Sequence, residues 1–426
     1  MSPTQDAYDC VVLGAGPAGC TAATLVAKAG FSTLLVERES LPREHVGESL
    51  MPETYWTFEK LGVLDKLRAS RFSKKVGVQF VDASGRESKP FFFRSHFDHD
   101  SSDSWHVERA EFDRMLFDNA AEHGAECLDQ TRVLEVLFDN ERAVGVKLKT
   151  SAGERRIASR VVIDATGQSS LIANRLGLKQ INPDLKKAGI WRHYRGGDRD
   201  ESGGGVKTII SHTSDQQAWL WYIPQSNDVI SVGCVGDADY LLKGRGPAAQ
   251  VFDEELAKCE GVARRLVDAE AVDDLAVAKE FSYTTTHAAG DGWTLVGDAW
   301  GFIDPVYSSG VYFALKSADM ASACVVDALR TDDCSAARLG AWNAEFKAGT
   351  QWVRKLVHAF YSGSFRVGQF VKEYPQHAGP LTDLLVGKMF APEMPALFAD
   401  LDPWLEKAAA EGGSAGDSGE QLAAIA

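Results

Sequence analysis

Cysteine is scarce and scattered: seven in 426 residues, from Cys10 to Cys334, with no CxxC pair. An odd, dispersed set of this kind argues against a disulfide frame and a structural zinc site, and for reduced thiols in a cytoplasmic protein with no bound metal. Basic charge is in deficit. Lys and Arg number 45 against 60 Asp and Glu, a net charge of -15, so nucleic acid and anionic lipid exert no general attraction. No apolar run reaches membrane-spanning length, and no basic, apolar leader precedes Tyr8. Internal repeats are absent. GxGxxG occurs once, which leaves no second unit for a nicotinamide.

What is present is an ordinary globular balance, 45% hydrophobic and 25% charged, in a chain long enough for a cofactor lobe and a substrate lobe. The stretch YDCVVLGAGPAG, residues 8 to 19, reads as strand, turn and helix. Gly14 allows a tight turn, Gly16 leaves room for phosphates, Ala18 follows Pro17 in the first helical turn, and Gly19 lets helix pack on strand. The helix N-terminus then offers its partial positive charge to a pyrophosphate. A second apolar strand ends at Glu37, 18 residues after Gly19, where a carboxylate can accept from a ribose diol; Arg38 lies beside it. Nucleotide binding is the expected function of this unit, against a ligand-free glycine turn.

The polar segment that follows carries Arg43 and Glu48, which either meet an anion or hold a surface loop. A helix is expected from Tyr55 to Leu67, a strand from Val76 to Val81, and a helix from Arg109 to His123. Phe91, Phe92 and Phe93 suit a core strand better than a pocket wall. Small residues in DATG, 164 to 167, let backbone pass close to a nucleotide. The fold class is mixed α/β: a Rossmann-like nucleotide-binding domain over 1–180 and 275–335, a sheet-rich substrate domain over 181–274, helices over 336–404, and a disordered tail over 405–426. Residues 351 to 372 hold Arg354, Lys355, Arg366 and Lys372 without an acid, among interleaved apolar residues. They are a docking face for an acidic carrier, a membrane-surface helix, or, more often, a helix packing its apolar side on the body.

GAGPAG, Glu37, DATG and GDAWGFIDP at 297 to 305 together resemble the two-domain FAD monooxygenases of the hydroxybenzoate-hydroxylase fold, over residues 6 to about 330. The resemblance implies that Arg109 lies near the FAD diphosphate, that Asp298 binds the ribityl or diphosphate part, and that Pro305 borders the flavin ring. It narrows to the flavin-dependent halogenases on WLWYIP at 219 to 224, PREHVGESLMP at 42 to 52 and FIDPVYSSG at 302 to 310. On that likeness Arg43, Glu48 and Ser49 belong to a cofactor loop. Ser308 would be catalytic, and the Ser309 and Gly310 amides would hold chloride or bromide. Trp219 and Trp221 would wall the substrate from the flavin, unless they are ordinary strand residues. Lys75, five residues before Phe80 in KKVGVQF, matches the family's essential lysine, with Lys74 as fallback.

The implied chemistry uses FAD reduced by a separate reductase, dioxygen and halide to make hypohalous acid, which the lysine directs onto an aromatic ring. Indole-type halogenases carry a glutamate in the halide turn where Tyr307 stands here. The expected substrate is therefore a small phenolic or otherwise electron-rich aromatic, free or tethered to an acyl or peptidyl carrier protein, rather than tryptophan. The alternatives are an aromatic hydroxylase and a reductase of isoprenoid double bonds, both on the same fold.

Overall fold

The computed structural model describes residues 3–279, 281–363 and 365–410. The first strand, Ala7–Leu13, is apolar on both faces, as a strand covered on both sides must be, and lies at the centre of a parallel core. It pairs with Thr33–Val36 on one side and Gly153–Asp164 on the other, and Glu126–Leu128 and Trp293–Leu295 extend the parallel set. An antiparallel meander of Arg132–Asp139 and Arg142–Thr150 hangs from the long strand Gly153–Asp164. The helices Pro17–Lys28 and Gly310–Thr331 pack together against this sheet, joined by small buried residues such as Ala18, Ala22 and Ala318.

A second, nine-stranded sheet stands beside it. Its antiparallel part is Lys187–Arg195, Val229–Asp237, Ala218–Pro224 and Val206–His212. The strand Ser73–Val81 then joins Val206–His212 in parallel and carries Phe91–Phe92 and Ser104–His106 on its other edge. The substrate sheet is thus assembled from three stretches, with its Lys75 strand drawn from residues that sequence alone assigned to the cofactor domain. A parallel partner supplied from so far upstream leaves no hairpin signal in the sequence. Lys179–Ile181, Tyr283–Thr285 and Gly301–Phe302 form a separate small antiparallel sheet.

The helix expected from Tyr55 to Leu67 is two, Thr54–Leu61 and Leu64–Ala69, because Gly62 takes a left-handed conformation and ends the first. In the C-terminal region the helix Asn343–Tyr361 buries Phe346, Val353, Leu356 and Val357, and its Lys355 pairs with Asp402. The apolar residues of the basic stretch are therefore packing residues. The helix Met394–Ala410 continues through 405–410, which the sequence reading placed in the tail; the remainder of that tail, 411–426, lies outside the described residues. No helix among the described residues is long and apolar enough to cross a membrane.

Candidate active site

The glycine turn is built by exclusion. Gly14 has φ of +95°, and a Cβ there would meet the Ala165 carbonyl oxygen at 2.5 Å; one on Gly19 would overlap the Gly14 carbonyl. Backbone from DATG and from GAGPAG therefore approach each other at the floor of a cavity of about 480 Å³. Gly14, Gly16 and Ala18 face this cavity, whereas Gly19 packs behind the turn. No side chain caps the helix at Gly16, which leaves its first amides to a ligand. The cavity runs from Glu37 and Arg38 at one end to Pro305, Ser308 and Gly310 at the other, with Arg43, Glu48, Ser49, Arg109 and Asp298 along its walls. An uncapped helix N-terminus in a cleft that is also lined by the buried acid Glu37 fits FAD.

Several of these side chains already have partners. Glu37 accepts from the amides of Ala15 and Glu39, so it braces the turn as well as facing the cavity. Arg109 does not reach freely toward a phosphate. It binds Asp113 through Nε and Nη2 at 2.8 and 3.0 Å and donates Nη1 to the Val46 carbonyl at 2.7 Å. Arg43 reaches the same Asp113 at 3.1 Å. One buried carboxylate thus fastens two guanidiniums, and through them the loop 43–47, to the helix Arg109–Glu122. Asp298 has its carboxyl raised to about 7 by burial, which Arg109 and Lys179 oppose.

Glu48 is held by a histidine from another segment, and Ser49 by Thr208, which a second histidine holds in turn. His193 bridges Glu48 at 3.0 Å and Asp273 at 2.6 Å; burial alone would lower its pKa, but these two acids raise it to about 9, so it is a cation at neutral pH. His106 is the opposite case. Burial, with the charge of Lys75, pushes it down to about 3. Its Nδ1 lies 2.8 Å from the Pro224 carbonyl, which only accepts, so Nδ1 carries the proton and Nε2 accepts from Thr208 at 2.8 Å. Thr208 then accepts from Ser49, also at 2.8 Å. The direction of the whole chain follows from one carbonyl. Thr208→Val would strand the Ser49 donor and the His106 acceptor, and is expected to cost about 1–3 kcal/mol in urea denaturation, with Thr208→Ser near wild type.

Thr208 matters because it faces two cavities. A smaller pocket, about 40 Å³, shares Thr208, Ile210 and Ser308 with the large one and contains Lys75. Alternation along Ser73–Val81 turns Lys74 outward to Asp103 at 2.8 Å and Lys75 inward, where it is 2% exposed. The Lys75 amine donates to the Leu50 carbonyl at 3.0 Å and sits 5.4 Å from the Phe93 ring centroid. Burial lowers it to about 7. Phe91 and Phe93 are core and pocket wall together, and Tyr307 and Leu385 close the far side.

Trp221 lies on the wall of the large cavity, but Trp219, on the same strand face, lies outside the lining of both. At the turn Ser308 has a left-handed φ of 56°, and Ser309, 2% exposed, precedes the helix Gly310–Thr331, whose start no side chain caps. Asp113, His106, Thr208 and His193 were not singled out by sequence reasoning. A glycine or tryptophan pattern marks its own segment, whereas these four act by pairing with segments 60 or more residues away.

Fold and cavity define a flavoprotein, and the FAD binding domain family model matches residues 7–318. The chain is 30% identical over 404 residues to the 1H-pyrrole-2-carbonyl-(peptidyl-carrier protein) chlorinase of Pseudomonas fluorescens, covering 90% of both chains. It is 32% identical over 349 residues to the corresponding brominase of Pseudoalteromonas luteoviolacea, covering 81% of this chain and 82% of that one. The solved structure of a flavin-dependent brominase superposes with a TM-score of 0.85 at 30% identity, over 94% of this chain and 99% of that chain. The chain belongs to the flavin-dependent halogenases, FAD enzymes of the flavin monooxygenase fold, and this membership favours halogenation over the hydroxylase and double-bond reductase readings.

Proposed function

We propose that this halogenase places halogen on a small, neutral, electron-rich ring borne on a carrier protein, in the pocket in front of Lys75. The observation that carries this reading is the position of the Lys75 amine, buried in an apolar pocket that meets the cofactor cavity only across Thr208, Ile210 and Ser308. In this reading Gly14, Gly16 and Ala18 receive the diphosphate and Glu37 the adenine ribose, with Arg38 and Arg43 flanking that end. Asp298 faces the ribityl chain, Glu48 and Ser49 line the cofactor loop, and Pro305 and Trp221 border the ring system. Arg109 acts through Asp113 and the loop 43–47. The amides of Ser309 and Gly310 receive chloride or bromide at the uncapped helix start.

Reduced FAD, supplied by a separate reductase, provides with dioxygen the two-electron oxidant that turns halide into hypohalous acid. Wall residues Ile210 and Trp221 keep a ring from the flavin while a molecule as small as hypohalous acid passes Ser308 and Thr208. Lys75, with its proton affinity lowered by burial, offers a free electron pair to orient the halogen toward the ring. The ring carbon bonds to halogen as the halogen–oxygen bond breaks, and the ring proton, relayed by the amine, joins the released hydroxide, which departs as water.

Among the described residues Lys75 is the one amine or carboxylic acid on the pocket wall, and a zwitterionic amino acid would find no partner for both its charges there. The two carrier-named relatives, and the small size of the pocket, favour a carrier-bound pyrrole over the phenol expected from sequence. Competition settles the matter: with reductase, FAD and bromide, pyrrole-2-carbonyl on a peptidyl carrier, the free acid, a simple phenol and tryptophan are offered together. Bromine on the carrier-bound ring, with the free compounds at least tenfold slower, is the expected result. Preferential bromination of tryptophan or of the free phenol would overturn the substrate assignment.

A further inference from the structure

Trp219 opens the WLWYIP signature, yet it lines neither cavity and is 2% exposed. Its indole Nε1 donates to the Tyr361 hydroxyl at 3.0 Å. An indole nitrogen can only donate, so the tyrosine oxygen is the acceptor and its own hydrogen must go elsewhere. It goes to Asp304, whose two carboxylate oxygens stand 3.0 and 3.2 Å away. Asp304 is 1% exposed and lies in FIDPVYSSG, where it also accepts from the Val306 amide at 2.9 Å. A directed chain, Trp219 to Tyr361 to Asp304, thereby ties together the substrate sheet, the end of the helix Asn343–Tyr361 and the turn ahead of Gly310.

The neighbours reinforce it. Phe360 packs edge-on against Trp219 and against Tyr307 of the same turn, with ring centroids 6.1 and 6.2 Å apart. The Lys187 amine sits 3.9 Å from the Tyr361 ring centroid and is held by Asp237 at 2.7 Å. Tyr361 has no freedom to turn away, and Asp304 cannot lose it without being left as a buried acid with one donor.

We propose that Trp219 and Tyr361 are positioning residues that hold the turn Phe302–Gly310, through Asp304, in the shape that presents its amides to halide. The inference rests on the assignment of the halide to Ser309 and Gly310. It gives the first tryptophan of the signature a task that a wall residue would not have, and makes the end of the helix Asn343–Tyr361 part of the active site.

The test uses the full-length, FAD-loaded protein and the variants Trp219→Phe, Tyr361→Phe and the double, each of which keeps an aromatic ring in place. Two quantities are read: bromide affinity, from the change in flavin absorbance on titration, and amide hydrogen exchange in residues 302–312. Each single variant is expected to weaken bromide binding about tenfold, equivalent to about 1.4 kcal/mol, with faster exchange in the turn and unchanged FAD affinity. The double variant should be no worse than the poorer single, because both cut one chain. Unchanged exchange in both singles, or fully additive losses, would overturn the tether. Faster exchange with unchanged bromide affinity would instead overturn the halide assignment and with it the positioning role. Hydroxylated product from Trp219→Phe, with bromide binding intact, would restore the wall.

Discussion

Replacing Lys75 by methionine is expected to lower ring halogenation by roughly 10²- to 10⁴-fold, the range that a positioned acid-base group commonly supplies, while reduced flavin is still oxidised by dioxygen. The two readouts separate because the amine lies in the small pocket and not on the wall of the cofactor cavity. Flavin absorbance follows oxidation and mass spectrometry follows the halogenated ring. Equal loss of both would place Lys75 in cofactor binding instead. The same substitution should stabilise the fold, and the pH dependence identifies the cause. The ordinary lysine value is 10.5 and the folded value is about 7, so burial imposes no cost above 10.5, a growing one as pH falls, and the full one below about 7. Lys75→Met should therefore gain on wild type between pH 10 and 7, on the order of a few kcal/mol at the low end, and the gap should then level.

The second large effect belongs to Asp113, which is fully buried between two guanidiniums. Truncating one partner of such a cluster leaves the others as uncompensated buried charge, which costs about 3–5 kcal/mol. Asp113→Ala is expected to unfold at clearly lower denaturant and to bind FAD more weakly, since Arg43 and Arg109 lose the anchor that fixes the loop 43–47. Asp113→Asn, which keeps the acceptor oxygen but not the charge, should fall between. Wild-type stability in the alanine variant, measured by denaturant unfolding of the FAD-free protein, would mean that the two arginines find other partners.

Which parts of this site could be read from the sequence follows from the range of the interaction. The cofactor turn was legible because its chemistry is local: Gly14, Gly16 and Gly19 answer to steric limits within one strand-turn-helix unit, and Glu37 follows at the end of the next strand. Lys75 was singled out by the family resemblance, through its place five residues before Phe80, and spacing alone would have left it a surface lysine. The choice between it and Lys74 needed the strand's alternation and the partner Asp103. Arg109 was expected at the diphosphate because nothing in the sequence shows that Asp113, one helical turn on, takes its Nε and Nη2 while the Val46 carbonyl takes Nη1. The tasks of Trp219 and Tyr361 emerge only when residues 142 positions apart meet. The boundaries of the substrate sheet failed for the same reason: its parallel seam joins Ser73–Val81 to Val206–His212 across more than a hundred residues.

The proposed chemistry requires a halogen, rather than oxygen, to leave the cofactor cavity for the Lys75 pocket. The most direct measurement is a single turnover: protein loaded with FAD, reduced, then mixed with dioxygen, bromide and the pyrrole-2-carbonyl carrier, with the carrier analysed intact by mass spectrometry. The expected result is the bromine isotope doublet on the carrier in wild type and its loss in Lys75→Met. A carrier that gains oxygen instead of bromine would contradict it and make the enzyme a hydroxylase.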